Sequence, residues 1–78
     1  MELYRLTFDL EGASWSEVHS GMTRYVAIRR ARAMLELLVA EIAPKSALVS
    51  IDETAGKLPC GRWTYDHSGT PEVVWQQI

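Results

Sequence analysis

Residues 23–44 read TRYVAIRRARAMLELLVAEIAP, and this stretch decides the fold. At 100° per residue, Ala27, Ile28, Ala31, Met34, Leu35, Leu38, Val39 and Ile42 fall within one arc of about 140°. Thr23 can accept from the free amides of a first turn. Pro44 disfavours α geometry at Ala43 and has no amide of its own to donate. The segment therefore predicts one amphipathic helix over 23–43, with that arc as its core face. A helix of this kind needs an apolar sheet to cover.

The flanking sequence supplies one. In residues 2–11, Tyr4, Leu6, Phe8 and Leu10 alternate with Arg5, Thr7, Asp9 and Glu11, the period of a half-buried strand. Gly12 marks a turn, and residues 12–22 read either as a loop or as a short edge strand carrying Trp15, Val18 and Met22. After the helix, Ala47, Val49 and Ile51 alternate with Leu48, Ser50 and Asp52. Residues 53–57 read as a turn, 62–66 as a strand with Trp63 and Tyr65 on one face, 67–71 as a second turn, and 72–77 as a last strand holding Val73 and Trp75. The expected fold class is α+β: an antiparallel sheet of four or five strands with one long helix packed across one face, in the order β-(β)-α-β-β-β. Trp63, Tyr65 and Trp75 are expected in its core.

Seventy-eight residues suit a single domain, 1–78. So short a chain buries only about 60–65% of its unfolded surface. With 47% hydrophobic residues, three Trp and three Tyr, it can still build a core. Ten acids against eight bases leave a net charge of −2, too small a balance for global attraction to nucleic acid. The lone Cys60 allows no internal disulfide. The longest apolar run, 37–40, is far below the roughly 20 residues that span a bilayer. The opening Met-Glu-Leu-Tyr-Arg does not read as a signal peptide, so a cytoplasmic protein without membrane association is expected.

Chemistry-bearing motifs are sparse. Asp66-His67-Ser68 holds three triad residue types, but neighbours in a turn cannot line up as a triad does. Cys60 with His19 or His67 lacks any sign of an activated thiolate. One Cys and two distant His have no metal-ligand spacing, and the pairs Asp52-Glu53 and Asp9-Glu11 suit solvated strand ends. No glycine-rich phosphate loop is present. No catalytic residue, metal site or cofactor is therefore expected, and the protein is read as a non-enzyme. Its small core also leaves little room for a substrate cleft.

Charge on the helix is the sharpest local signal. Arg24, Arg29, Arg30 and Arg32 fall within nine residues, at the helix end where positive charge works against the macrodipole. Arg29 and Arg32 share a flank with Tyr25, a combination suited to carboxylate or phosphate, while Arg30 projects from the opposite flank. Glu36 can pair with Arg32 one turn back. Trp15, set among Ser14, Ser16 and Glu17, reads either as a binding anchor or as a lid over the helix end. The candidate binding residues are thus Arg24, Tyr25, Arg29, Arg30, Arg32 and Trp15. Val26, Ala33, Leu37 and Ala40 form an apolar stripe opposite the core arc. Its cover is expected from residues 12–22 or from another chain, the latter as a weak homodimer.

The helix stretch Ala27-Ile28-Arg29-Arg30-Ala31 and the hairpin Ile51-Asp52-Glu53-Thr54-Ala55-Gly56 leading to Trp63 sit in a layout that loosely resembles small phage-encoded anti-CRISPR proteins. The resemblance implies a non-enzymatic inhibitor from a phage or mobile element, one that occludes a host nuclease complex by surface contact. The layout is also similar to cystatin-like domains, but their Gln-Val-x-Gly type loop is absent. The function expected is a small protein-binding module. The alternative is a nucleic-acid-binding domain using the Arg-bearing helix.

Overall fold

The computed structural model describes residues 2–54, 58–67 and 73–77. Five strands and one helix follow each other as β1 (Glu2–Leu10), β2 (Ala13–Met22), α1 (Arg24–Ile42), β3 (Ser46–Glu53), β4 (Leu58–Asp66) and β5 (Val74–Gln77). Every pairing is antiparallel and the strand order is β2-β1-β3-β4-β5. The α+β class, the five-strand count and the single helix on one face agree with the sequence reading.

Residues 12–22 resolve as a strand. β2 is ten residues long, not the short edge piece expected. Its sparse apolar pattern misleads because only its inner face touches the core, and that face carries Glu17 and His19 as well as Trp15. Inward-facing polar groups are one means of keeping an edge strand from recruiting another chain. The strand expected over 2–11 ends at Leu10, because Glu11 and Gly12 form the hairpin turn with φ of 34° and 92°. Two successive positive φ values match the right-handed twist of the flanking strands. Glu11 holds this conformation while its carboxylate accepts a hydrogen bond from the Lys45 amide. The strand expected at 62–66 begins earlier, at Leu58, and the last strand begins at Val74. Residues 55–57 and 68–71, within the two turns read from the sequence, and residue 72, read as the start of the last strand, lie outside the described residues.

α1 starts and stops where its caps dictate. The Thr23 hydroxyl accepts from the Val26 amide at 3.2 Å. Ala43 takes a left-handed conformation, and its amide donates to the Val39 carbonyl at 2.9 Å. Ala27, Ala31 and Leu35 are buried, and Ile28, Met34, Leu38 and Val39 pack partly buried against them. Ile42, expected on the core face, is 58% exposed. The periodic arc is right in angle, but the last turn runs past the buried cluster. Two alanines one turn apart at the centre of the contact leave no long side chain to hold helix and sheet apart.

The register lays one apolar row across the whole inner face. Trp15 pairs with Phe8, Phe8 with Val49, Val49 with Trp63, and Trp63 with Trp75. Trp15 stacks on Phe8 with centroids 5.1 Å apart, and Trp63 meets Trp75 at 5.0 Å with the rings tilted by 56°. Such pairs add about 0.5–1.5 kcal/mol beyond their buried area. On the outer face, the corresponding row reads Ser16, Thr7, Ser50, Arg62 and Gln76, with Arg62 Nε donating to Gln76 at 3.0 Å. A largely polar face in water and a largely apolar face under the helix account for the alternation of β1 and β3, whereas β2 turns Glu17 and His19 inward and leaves Val18 exposed.

Leu35 is fully buried in the cluster with Leu6, Phe8, Val49 and Ile51. Replacing it by Ala removes packed methyl groups that the rigid sheet cannot close over. Leu35→Ala is expected to cost about 2–5 kcal/mol in chemical denaturation. A loss below about 0.5 kcal/mol, the level of a surface substitution, would show that this helix face is not the core face.

Candidate functional site

The flank of α1 that faces β4 and β5 frames a half-open groove of about 570 Å³, lined by Tyr25, Arg29, Arg32, Glu36, Trp63 and Trp75, with Ile28 and Ala33 along the helix side. Helical spacing places the first four on one flank, since positions 25, 29, 32 and 36 recur at three- and four-residue intervals. The two Trp come from neighbouring strands through the register that pairs them. Trp63 is 9% exposed, and its indole N–H donates to the Ile28 carbonyl at 2.9 Å. That bond ties the groove floor to its wall.

Gly61 makes room for the floor. Its φ is +152°, and a Cβ built there would overlap the Trp75 ring and lie 2.8 Å from the Gln76 carbonyl. Only a residue without a side chain lets Trp75 lie across β4 at this point.

Both arginines of the flank rest on aromatic faces. The Arg29 guanidinium lies 5.5 Å from the Tyr25 ring centroid, and that of Arg32 lies 5.1 Å from the Trp63 ring. Arg32 Nε also donates to Glu36 at 3.1 Å, with both side chains about half exposed. A guanidinium seated on a ring and held by a carboxylate has fewer rotamers to lose on binding. Its remaining N–H groups present a planar fork to an incoming carboxylate or phosphate. Among the described residues, no carboxylate pairs with Arg29.

Of the residues singled out in the sequence, Tyr25, Arg29 and Arg32 are brought together. Arg30 projects from the other flank, and Arg24 lies near Cys60 at the start of the helix. Trp15 is no exposed anchor. It is half-buried on Phe8, and its Nε1 donates to Glu17 at 3.2 Å. Glu17 also meets His19 Nε2 at 3.2 Å. Residues 12–22 lie in the sheet and do not cover the back of the helix, as one reading of the stripe expected. The groove adds Trp63, Trp75 and Glu36, which sequence reasoning treated as core or as a helix pair. Nothing local distinguishes a core Trp from a groove-floor Trp; Gly61, two residues before Trp63, is the one sequence feature that bears on it.

Elsewhere the chemistry is limited. Tyr65 Oη lies 3.4 Å from His67 Nδ1, while Ser68 falls outside the described residues. No group of three or more His, Cys, Asp or Glu among the described residues is arranged to hold a metal ion. No helix among them is long and apolar enough to cross a membrane. Cys60 is buried, and burial pushes its thiol up from the ordinary value of 9.0. The nearby Arg24 opposes that rise, while Glu53 and Asp52 add to it. The chain matches no protein-family model, no curated protein and no solved structure.

Two measurements test this site. Gly61→Ala should displace the Trp75 ring at a cost of about 1–3 kcal/mol, as overpacking does. Intrinsic fluorescence should change with it, and an unchanged spectrum and melting temperature would place Trp75 elsewhere. For Cys60, the fold disfavours the thiolate, so the contribution to stability is complete below the ordinary thiol pKa. It is lost as pH rises through 9.0 toward the raised value. Stability should thus fall more steeply between about pH 8 and 10 in the wild type than in Cys60→Ala. Parallel curves would mean the thiol titrates as in the unfolded chain.

Proposed function

We propose that this chain is a non-enzymatic binding module that recognises an acidic protein surface through the groove between α1 and strands β4 and β5. The observation that carries the reading is the pair of guanidinium groups seated on aromatic rings, Arg29 on Tyr25 and Arg32 on Trp63, at the mouth of that groove. Preorganised arginines beside exposed aromatic surface are typical of interface anchors. Tyr25 is 67% exposed, a large apolar area left in water beside a guanidinium that pairs with no carboxylate among the described residues. Carboxylates on a partner supply the opposite charge, and Trp63 and Trp75 supply the apolar floor.

The resemblance to anti-CRISPR proteins suggests a finer form: an accessory protein of a phage or mobile element that blocks a host nuclease complex by covering it. Tyr25 beside Arg29 also suits a stacked base with its phosphate, which is the specific support for the nucleic-acid alternative. The net charge of −2 weighs against it. Self-association, the other partnership raised by the sequence, centres on the back of the same helix and borders this groove at Arg29, Ala33 and Glu36.

The test compares wild type with the double variant Arg29→Glu and Arg32→Glu. Both positions are exposed and lie outside the buried cluster, so the fold should persist, with about 1–2 kcal/mol lost from the contacts of Arg32 with Trp63 and Glu36. A partner recovered from native lysate should bind the variant at least about tenfold more weakly, or ~1.4 kcal/mol. That binding should survive nuclease treatment and weaken only moderately with salt. Loss on nuclease treatment together with a steep salt slope would favour the nucleic-acid reading. Equal affinity of both proteins for the partner would remove the groove as the binding face.

A further inference from the structure

The back of α1 carries an apolar stripe that the fold leaves open. Val26 is 41% and Leu37 64% exposed, with Ala33 and Ala40 exposed between and beyond them. The sheet packs on the opposite side of the helix, and β2 lies in the sheet plane. Charge along the helix adds a second, independent feature. Arg24, Arg29, Arg30 and Arg32 occupy its first half, Glu36 and Glu41 its second half. The first turn holds no acid and the last turn no base. Each end thus carries a charge of the same sign as the backbone dipole there, which is unfavourable within one helix. Against a second helix laid antiparallel, the same arrangement becomes complementary. The basic, dipole-positive half of each then lies along the acidic, dipole-negative half of the other.

We infer that two copies of this chain associate through antiparallel α1 helices, with the twofold axis passing beside Ala33. In that register Val26 of one copy lies opposite Ala40 of the other, and Leu37 enters the space between Val26 and Ala33 of the second copy. Arg29 falls within one residue's rise of Glu36 of the second copy, on the same flank, and symmetry makes this pair twice. Alanine at the centre lets the axes approach to the short end of the usual 8–10 Å range. The contact is small. A 19-residue helix is about 28 Å long, and one stripe of it stays below the roughly 800 Å² per partner of a standard interface. The dimer is therefore weak and concentration-dependent. Ala33, Arg29 and Glu36 also line the groove, whereas Leu37 and Val26 lie outside it, so the Leu37 variant tests the dimer separately from the groove reading.

Sedimentation equilibrium from micromolar to millimolar concentration tests it. The wild type should pass from monomer to dimer, and Leu37→Glu should raise the dissociation constant about tenfold or more. Circular dichroism should show that variant folded, because Leu37 makes no part of the core. Arg29→Glu and Glu36→Arg should each weaken the dimer, and the two together should restore it, because the reversed pair forms again across the axis. A wild type that stays monomeric throughout, or a dimer that Leu37→Glu leaves intact, overturns the inference. A dimer that Leu37→Glu weakens but the double reversal does not restore overturns the antiparallel register.

Discussion

The apolar row Trp15–Phe8–Val49–Trp63–Trp75, one residue from each strand, is the constraint on which the rest of the structure depends. It runs across the sheet beneath the helix and ends in an aromatic pair on each side. A one-residue slip of any strand would turn its member of the row to the outer face and bring a polar neighbour inward. Register is therefore strongly specified, even though the outer face is polar and tolerant. Ala27 and Ala31 of α1 share the buried cluster with Phe8, Val49 and Trp63 of this row, and the bond from Trp63 to the Ile28 carbonyl locks the helix laterally. The groove is a direct consequence. Where the row reaches β4 and β5 the helix no longer covers it fully, and Trp75 is left half-buried beside the arginine flank.

The charge order of α1 shows where local stability yields to something else. Helices gain from acids in the first turn and bases in the last, and this helix has neither. Its N-terminus relies on the Thr23 hydroxyl, and Arg32 is accommodated by Trp63 and Glu36. Arg29 and Tyr25 support each other at the surface. The cost is a few tenths of a kcal/mol per misplaced charge, small beside the core. A fold this short tolerates it because the buried cluster of Leu6, Phe8, Leu35, Val49 and Ile51 contributes about 1.5–3 kcal/mol per large side chain.

Much of the fold was legible because its signals are local. The periods of two and 3.6, the cap at Thr23 and the stop at Pro44 are readable within a few residues. The Arg32–Glu36 pair was legible for the same reason. β2 was not, because an edge strand touches the core on one face only, and Glu17 and His19 on that face dilute the alternation. Ile42 has the right helical angle and the wrong axial position; an angular pattern carries no information on where the sheet ends beneath the helix. Trp15 read as a binding anchor or a lid over the helix end because its sequence neighbours are polar, whereas its neighbour in space is Phe8, across a hairpin turn.

By itself the sequence determined the helix and the strands β1 and β3, which side of each is apolar, and that four arginines crowd the first half of α1. These follow from short-range sterics and the geometry of the repeating backbone. The tertiary structure alone decided that β3 pairs with β1, that Trp63 and Trp75 become neighbours, and that both lie under the Tyr25–Arg29–Arg32 flank. Those contacts join residues well separated in the chain, twelve positions apart for Trp63 and Trp75 and about forty for Phe8 and Val49. They are selected by how completely the assembled sheet and helix exclude water, a property that no single segment has until all of them are in place.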